Sequence, residues 1–130
     1  MVTLKICGIT NLDDALLAAE CGASHIGFVL VPDTPRAIPP EKAAQIIQRL
    51  PKQIRTVAVV ADRTVAELES LHAQCGFDLF QLHGNESEED AIQFGLQHVW
   101  KAVHVQTPQD ISRAARVPAT ALLVDSMVVG

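Results

Sequence analysis

The sequence predicts an α/β fold with a parallel sheet, because short apolar segments alternate with helix-forming segments along the whole chain. Six segments have the length and composition of strands: residues 4–6, 25–31, 56–60, 79–82, 98–103 and 121–124. They are almost continuously apolar, as is typical of parallel strands that are covered by helices. No linker or low-complexity segment interrupts the pattern, so we expect one domain over residues 1–130.

The segments between the strands carry signals for the start and the end of helices. In the first, apolar residues recur at helical spacing over 12–19, and Gly22 follows as a stop. The second opens at Pro39–Pro40 and ends before Pro51. Three further helices are predicted to begin at the capping sequences that start with Thr64, Ser87 and Thr107.

Two architectures use alternating strands and helices, the doubly wound sheet and the (β/α)8 barrel. The loop after the first strand, CGIT at 7–10, lacks the glycine pattern of a dinucleotide-binding doubly wound fold. Polar residues instead recur at strand C-termini: Cys7, Asp62, Gln81, His83, His104 and Asp125. That position is the active-site face of a TIM barrel. We therefore predict a TIM-barrel fold with about six strands and five helices present, lacking a C-terminal quarter to third of roughly 45–70 residues.

The composition excludes several classes of protein. The net charge is −5, without the basic surplus of a nucleic-acid-binding protein. No apolar run has the length of a membrane span, and the N-terminus lacks the pattern of a signal peptide, so we expect a cytoplasmic protein. The three cysteines show no CxxC spacing, and the histidines show no paired metal-ligand spacing. Neither a disulfide framework nor a metal site is expected.

Cys7 is the first candidate for a chemical role. A short apolar strand places it at its C-terminal end, a glycine follows, and Thr10 or Asn11 can cap the next helix. The alternative is a buried, inert cysteine, which is the more common fate of a lone thiol.

Four motifs occur in the order of the predicted strands. They are LKICGIT at 4–10, GFV followed by TPR within 27–36, QLHG at 81–84 with Glu86, and LLVDS at 122–126. Together they resemble the phosphoribosylanthranilate isomerase family of tryptophan biosynthesis over the whole chain. The resemblance implies a TIM barrel that catalyses an Amadori rearrangement of a phosphorylated aminoaldose to an aminoketose, with neither a metal nor an organic cofactor.

The resemblance also implies roles for individual residues. Asp125 would be the general acid that opens the furanose ring, and Cys7 the general base that removes the C2 proton. An acid of this kind must stay protonated near neutral pH, which burial in the apolar strand 121–124 would favour. A thiolate needs a positive potential, which Lys5 or the N-terminus of the following helix can supply.

The resemblance assigns substrate binding to Arg36 and His83. The guanidinium of Arg36 suits a carboxylate or a phosphate, although an exposed loop arginine without a specific role is the alternative. His83 can orient substrate or serve as a structural histidine at a strand end. The other histidines, His25, His72, His98 and His104, are interpreted as structural or solvent-facing. Lys101 lies inside a strand, which leaves a Schiff-base aldolase formally open.

Two other functions remain open. The chain can be a catalytically inert partial barrel that assembles with another chain through the open edges of its sheet. It can also belong to a different phosphate-handling barrel enzyme with a similar N-terminal half. In the isomerase family the substrate phosphate is held by loops of the seventh and eighth strands, which follow the last motif present here.

Overall fold

The computed structural model describes residues 2–125, and over that range strands and helices alternate strictly. The strands are β1 (Lys5–Ile6), β2 (His25–Val29), β3 (Arg55–Val60), β4 (Leu79–Leu82), β5 (Val99–His104) and β6 (Ala121–Asp125). The helices are α1 (Leu12–Glu20), α2 (Pro40–Ile47), α3 (Val65–Cys75), α4 (Glu88–Phe94) and α5 (Pro108–Ala114), with a 3₁₀ turn at Leu96–His98. The predicted order of six strands and five helices is confirmed.

Six strand boundaries differ from the prediction by one or two residues, and two of these shifts have an evident local cause. β2 ends at Val29 instead of residue 31, because the chain turns at Pro32, which has no N–H to continue a ladder. β5 begins at Val99, one residue later than expected, because His98 closes the 3₁₀ turn. Neither shift moves a side chain to the other face of the sheet.

The helix N-termini follow the capping signals of the sequence. Thr64 and Thr107 form complete capping boxes, and the side chain of Ser87 accepts a hydrogen bond from the backbone N–H of Asp90. Of the two candidates for the first cap, Asn11 fills the role by accepting from Asp14. These caps set where each helix starts relative to the strand before it.

The strands form one parallel sheet in the order β1-β2-β3-β4-β5-β6. Sequential order distinguishes the sheet from a doubly wound one, in which the order reverses at a switch point. The register pairs Lys5 with His25 at one end and His104 with Asp125 at the other. Within residues 2–125, β1 pairs only with β2 and β6 only with β5, so the expected open edges are confirmed.

The sheet curls strongly. Three strand spacings in a flat sheet would separate β2 from β5 by about 14 Å. The rings of His25 in β2 and Trp100 in β5 nevertheless have centroids 5.1 Å apart. Lys5 in β1 likewise reaches Gln81 in β4 and donates a hydrogen bond to it. The concave face, here called the inner face, therefore brings together side chains from strands that are not neighbours.

The convex face of the sheet packs against the helices and holds the main hydrophobic core. Phe28, Val60 and Phe80 alternate with the residues of the inner face and belong to one buried cluster with helix residues such as Leu68. Burial of this apolar surface is the main source of stability. Among the described residues, no helix has the length and apolar character needed to cross a membrane.

The two edge strands leave apolar side chains exposed. Leu4 and Ile6 on the β1 side are 45% and 37% exposed, and Leu122 and Val124 of β6 are 37% and 70% exposed. Unpaired strand edges with apolar side chains favour pairing with further chain. We therefore expect the sheet to associate with further chain through these two edges.

A largely buried ion pair fixes the loop after β4. Lys101 donates to the carbonyl oxygen of Gly84 at 2.7 Å and lies 3.8 Å from the carboxylate of Glu86, whose side chain is only 2% exposed. The same carboxylate accepts from the N–H of Gly84 at 2.9 Å. Lys101 is thus engaged beside the core residues Leu82 and Val99, which argues against the Schiff-base interpretation.

Replacing Lys101 with methionine is expected to lower the free energy of unfolding by about 2 kcal/mol, because Glu86 would keep its buried charge without its cation. Urea denaturation at fixed protein concentration measures the change. The matched control is Arg113→Met, which breaks the exposed ion pair with Asp110 and should cost less than about 0.5 kcal/mol. Equal losses in the two variants would show that burial of the Lys101 pair contributes nothing.

Candidate active site

The four site residues predicted from the sequence lie at the C-terminal edge of the sheet. Cys7 directly follows β1, His83 directly follows β4, and Asp125 is the last residue of β6. Arg36 lies in the connection between β2 and α2. Because all strands are parallel, these positions share one rim, which is where a (β/α)8 barrel carries its chemistry.

Cys7 and Lys5 share the inner face above Gly27 of β2. A Cβ atom on Gly27 would lie 2.7 Å from the Cys7 Sγ atom and 2.8 Å from Lys5 Cε, so only glycine leaves room for both side chains. The N–H groups of Gly8 and Ile9 both donate to the Gly27 carbonyl oxygen, at 3.0 and 3.1 Å, and fix the turn after Cys7. Cys7 is exposed, which excludes the interpretation as a buried thiol.

Arg36 crosses over the turn that follows Cys7. Gly8 has a φ of 81°, and a Cβ atom there would meet Arg36 Cδ at 2.6 Å, so the arginine stem occupies the space that a side chain would fill. Its guanidinium donates to the Gly8 carbonyl oxygen at 3.4 Å. The structure therefore fixes Arg36 over Gly8, the residue that follows Cys7.

His83 belongs to a chain of polar side chains on the inner face. Lys5 donates to Oε1 of Gln81, and Nε2 of Gln81 lies 3.1 Å from Nδ1 of His83. The ring of His104 packs edge-on against His83 with centroids 5.7 Å apart. Burial lowers the pKa of His83, His104 and the lysines Lys101 and Lys5 lower it further, and Asp125 opposes them.

Asp125 pairs in register with His104 at the edge of the sheet. The expected burial of its carboxylate is not observed among residues 2–125, where Asp125 is exposed. The physical reason is that β6 has a strand neighbour on one side only, so nothing in the described chain covers its far side. Ser126 of the LLVDS motif lies outside the described residues.

The remaining histidines have mostly structural contacts. Nδ1 of His72 and Nδ1 of His98 face the carbonyl oxygens of Phe77 and Asp78, at 2.9 and 3.2 Å, and His25 packs against Trp100. Only His104, which is exposed as expected, also reaches the site. Among residues 2–125, no three side chains of metal-ligating type are grouped.

Neither a role for Gln81 nor the link between Lys5 and His83 was expected from the sequence. Gln81 is a polar residue that is 4% exposed inside an apolar strand, two residues before His83 and therefore on the same face. This spacing could have identified Gln81 as a residue of the inner face. The contact of Gln81 with Lys5 could not be predicted, because it joins strands that are three positions apart in the sheet.

A family model described as N-(5'-phosphoribosyl)anthranilate (PRA) isomerase matches residues 4–130. The chain belongs to this PRA isomerase family. The resemblance stated from the four motifs is thereby confirmed. Curated relatives in the family are 38% to 41% identical to the chain, which spans 54% to 62% of their length.

Solved structures of PRA isomerases confirm the TIM-barrel fold class. A crystal structure of phosphoribosyl anthranilate isomerase from Thermotoga maritima matches with a TM-score of 0.93 at 36% identity, covering 98% of this chain and 63% of that chain. A phosphoribosyl anthranilate isomerase in complex with reduced 1-(o-carboxyphenylamino)-1-deoxyribulose 5-phosphate matches with a TM-score of 0.92 at 36% identity, over 98% and 66% of the two chains.

A third structure contains monomers of a dimeric phosphoribosylanthranilate isomerase from Thermotoga maritima, with a TM-score of 0.90 at 36% identity. It covers 99% of this chain and 67% of that chain. PRA isomerases thus include dimeric members. The six described strands of this chain therefore correspond to part of their fold.

Proposed function

We propose that the chain supplies the acid–base face of an enzyme that converts N-(5-phosphoribosyl)anthranilate into 1-(2-carboxyphenylamino)-1-deoxyribulose 5-phosphate in tryptophan biosynthesis. The observation that carries the proposal is the position of Cys7 and Asp125 at the same rim of one curled sheet, with Arg36 beside the first and His83 between them in strand order. A cytoplasmic location and a single partial barrel domain over residues 1–130 are part of the proposal.

The first step assigns proton donation to Asp125. Its carboxylic acid gives a proton to the furanose ring oxygen, the bond from that oxygen to C1 breaks, and the anthranilate nitrogen forms an iminium with C1. The carboxyl group must therefore be protonated at the start, which requires a less polar surrounding than the open edge of β6 offers in the described residues. We infer that the acid becomes competent only when further chain covers this edge.

The second step assigns proton removal to Cys7. The iminium acidifies the C2 hydrogen, the thiolate removes it, and the electrons of the C–H bond form the C1–C2 double bond while nitrogen regains its lone pair. Tautomerisation of the resulting enolamine, with a proton added at C1, gives the ketone. The ammonium of Lys5, next to Cys7 above Gly27, supplies positive potential for the thiolate.

Arg36 is assigned to an anionic group of the substrate, its carboxylate or its phosphate. Its stem is fixed over Gly8, and its planar guanidinium can form two parallel hydrogen bonds to such a group. His83 is the second substrate-binding candidate. Arg36 and His83 both lie at the rim of the sheet on which the reaction would take place.

Function is best tested in a completed barrel, defined here as residues 1–125 of this chain followed by the remaining part of the Thermotoga maritima relative. The design joins segments at equivalent positions of one fold. We expect it to restore growth without tryptophan to a bacterial strain lacking the isomerase. A folded completed barrel that neither restores growth nor turns over substrate would refute the proposal.

Arg36→Lys in the completed barrel keeps the positive charge but removes the planar guanidinium that can form two parallel hydrogen bonds. KM should therefore rise several-fold while kcat changes less. Steady-state kinetics on freshly generated phosphoribosylanthranilate measures both constants. Arg49→Lys, a change of an arginine outside the rim, is the matched control. An unchanged KM in Arg36→Lys would mean that Arg36 does not bind substrate.

The second candidate function is an inert partial barrel that assembles with another chain. The exposed apolar residues of β1 and β6 favour self-association through the two edges of the sheet. Sedimentation velocity tests this assembly: association that increases with concentration supports pairing through the edges, and a monomer at all concentrations argues against it. Substrate turnover by the completed barrel separates the two functions, because an inert barrel would show none.

A further inference from the structure

The amide of Gln81 has its orientation fixed by Lys5. A lysine ammonium can only donate hydrogen bonds, so the atom of Gln81 that faces it must be the oxygen. The NH2 group then faces Nδ1 of His83, at 3.1 Å. Because an amide NH2 can only donate, Nδ1 of His83 must accept and cannot carry a proton.

We propose that Lys5 and Gln81 are positioning residues that hold His83 as the neutral tautomer with its proton on Nε2, so that His83 offers an N–H donor to an oxygen atom of the substrate. The assignment of the tautomer stands on the hydrogen-bond chain alone. The role toward substrate rests on the proposed function.

The surroundings of His83 support the neutral form. A second proton on Nδ1 would point at the NH2 group of Gln81 and break that hydrogen bond. Burial, His104 of β5 and the lysines Lys101 of β5 and Lys5 of β1 all lower the pKa of His83, and only Asp125 of β6 raises it. Lowering the pKa keeps the ring neutral at and above neutral pH.

Nε2 of His83 is available at the rim. Within residues 2–125, the hydrogen bond recorded for this ring is the one at Nδ1, and no buried side-chain nitrogen or oxygen lacks a partner. Nε2 is therefore not fully buried and is free to donate to a bound molecule. A neutral imidazole is a far weaker acid than an imidazolium, so it binds an oxygen without competing with Asp125 for proton transfer.

The test is the protonation state of each histidine in nitrogen-15 NMR spectra that correlate ring nitrogens with ring protons, recorded on the completed barrel near pH 8. His72 and His98 are internal references, because their Nδ1 atoms face carbonyl oxygens and must carry the proton. His83 is expected to show the opposite pattern, with the proton on Nε2. A proton on Nδ1 of His83, or an even mixture, overturns the proposal.

Gln81→Glu is the variant that tests the tautomer assignment most directly. A carboxylate accepts from Lys5 and from His83 alike, so the ring should move its proton to Nδ1, and its titration midpoint should rise by about one pH unit or more. The midpoint of His98 should stay where it is. Lys5→Met is the second variant: it frees the amide to rotate, so His83 should become a mixture of tautomers. Unchanged tautomers in the folded variants would show that the chain of hydrogen bonds does not position His83.

The role toward substrate is tested separately in the completed barrel. Gln81→Glu should reduce kcat/KM about tenfold, the value of one hydrogen bond to substrate, and should shift the pH profile. If Gln81→Glu reverses the tautomer of His83 but keeps the kinetics of the wild type, the contact with substrate is refuted and the tautomer assignment stands. An inactive completed barrel with the expected tautomer would refute the proposed function instead.

Discussion

Replacing Cys7 with alanine in the completed barrel is expected to reduce turnover by about two orders of magnitude or more, the usual effect of removing a general base. The fold should survive, because the side chain is exposed at the rim and the change removes little volume. Cys21→Ala is the matched control, since Cys21 is also an exposed, free cysteine but lies on the outer side, after α1. It should leave turnover near the wild-type value.

Asp125→Asn should cause a loss of the same order, because the amide keeps the shape of the acid but cannot give up a proton to the ring oxygen. Asp13→Asn, at an exposed acidic residue in the first turn of α1, controls for the change in charge. Circular dichroism and the denaturation midpoint show whether each variant is folded. Near-native turnover in a folded Cys7→Ala or Asp125→Asn variant would remove that residue from the mechanism.

The second large effect concerns the 130-residue chain made by itself, which we expect not to isomerise the substrate above background. The edges of its sheet lie at β1 and β6, the two strands that carry Cys7 and Asp125. Nothing in the described chain fixes the distance between these two edges. A misplacement of about 1 Å in a reacting group can cost about a hundredfold in rate.

We expect substrate binding to be weakened in the same chain as well. The chain spans only 54% to 62% of the length of its curated relatives, and remote contacts normally provide the binding energy that holds a substrate in its reactive orientation. The exposed apolar side chains of β1 and β6 should in addition lead to dimers, larger oligomers or aggregates.

The sequence was sufficient to predict every strand and every α-helix of the described fold, because local signals coincide with these elements. The 3₁₀ turn at Leu96–His98 was not predicted. Apolar strands, capping boxes at Thr64 and Thr107 and the αL glycine Gly76 after α3 each depend on neighbours within a few residues. The end of β2 differs from the prediction because of a proline, and the start of β5 differs because of a 3₁₀ turn. Both act at the boundary itself, where sequence patterns are least specific.

The site was predicted less completely, because its contacts join distant strands. Cys7, Arg36, His83 and Asp125 were found from motifs, and the structure brings all four to one rim. The Lys5–Gln81–His83 chain depends on the curl of the sheet, which no local pattern records. The exposure of Asp125 was missed for a related reason: an apolar strand predicts burial only where something covers it, and β6 is an edge.

We propose that this chain carries the acid–base pair of a PRA isomerase but needs the rest of the barrel to use it. The most direct measurement is the loss of phosphoribosylanthranilate fluorescence with the 130-residue chain and with the completed barrel, side by side, and with sedimentation of both samples. We expect turnover by a folded completed barrel and none above background by the chain alone, which should sediment as an oligomer or aggregate. A monomeric 130-residue chain that turns over substrate at a rate approaching that of the completed barrel would contradict it.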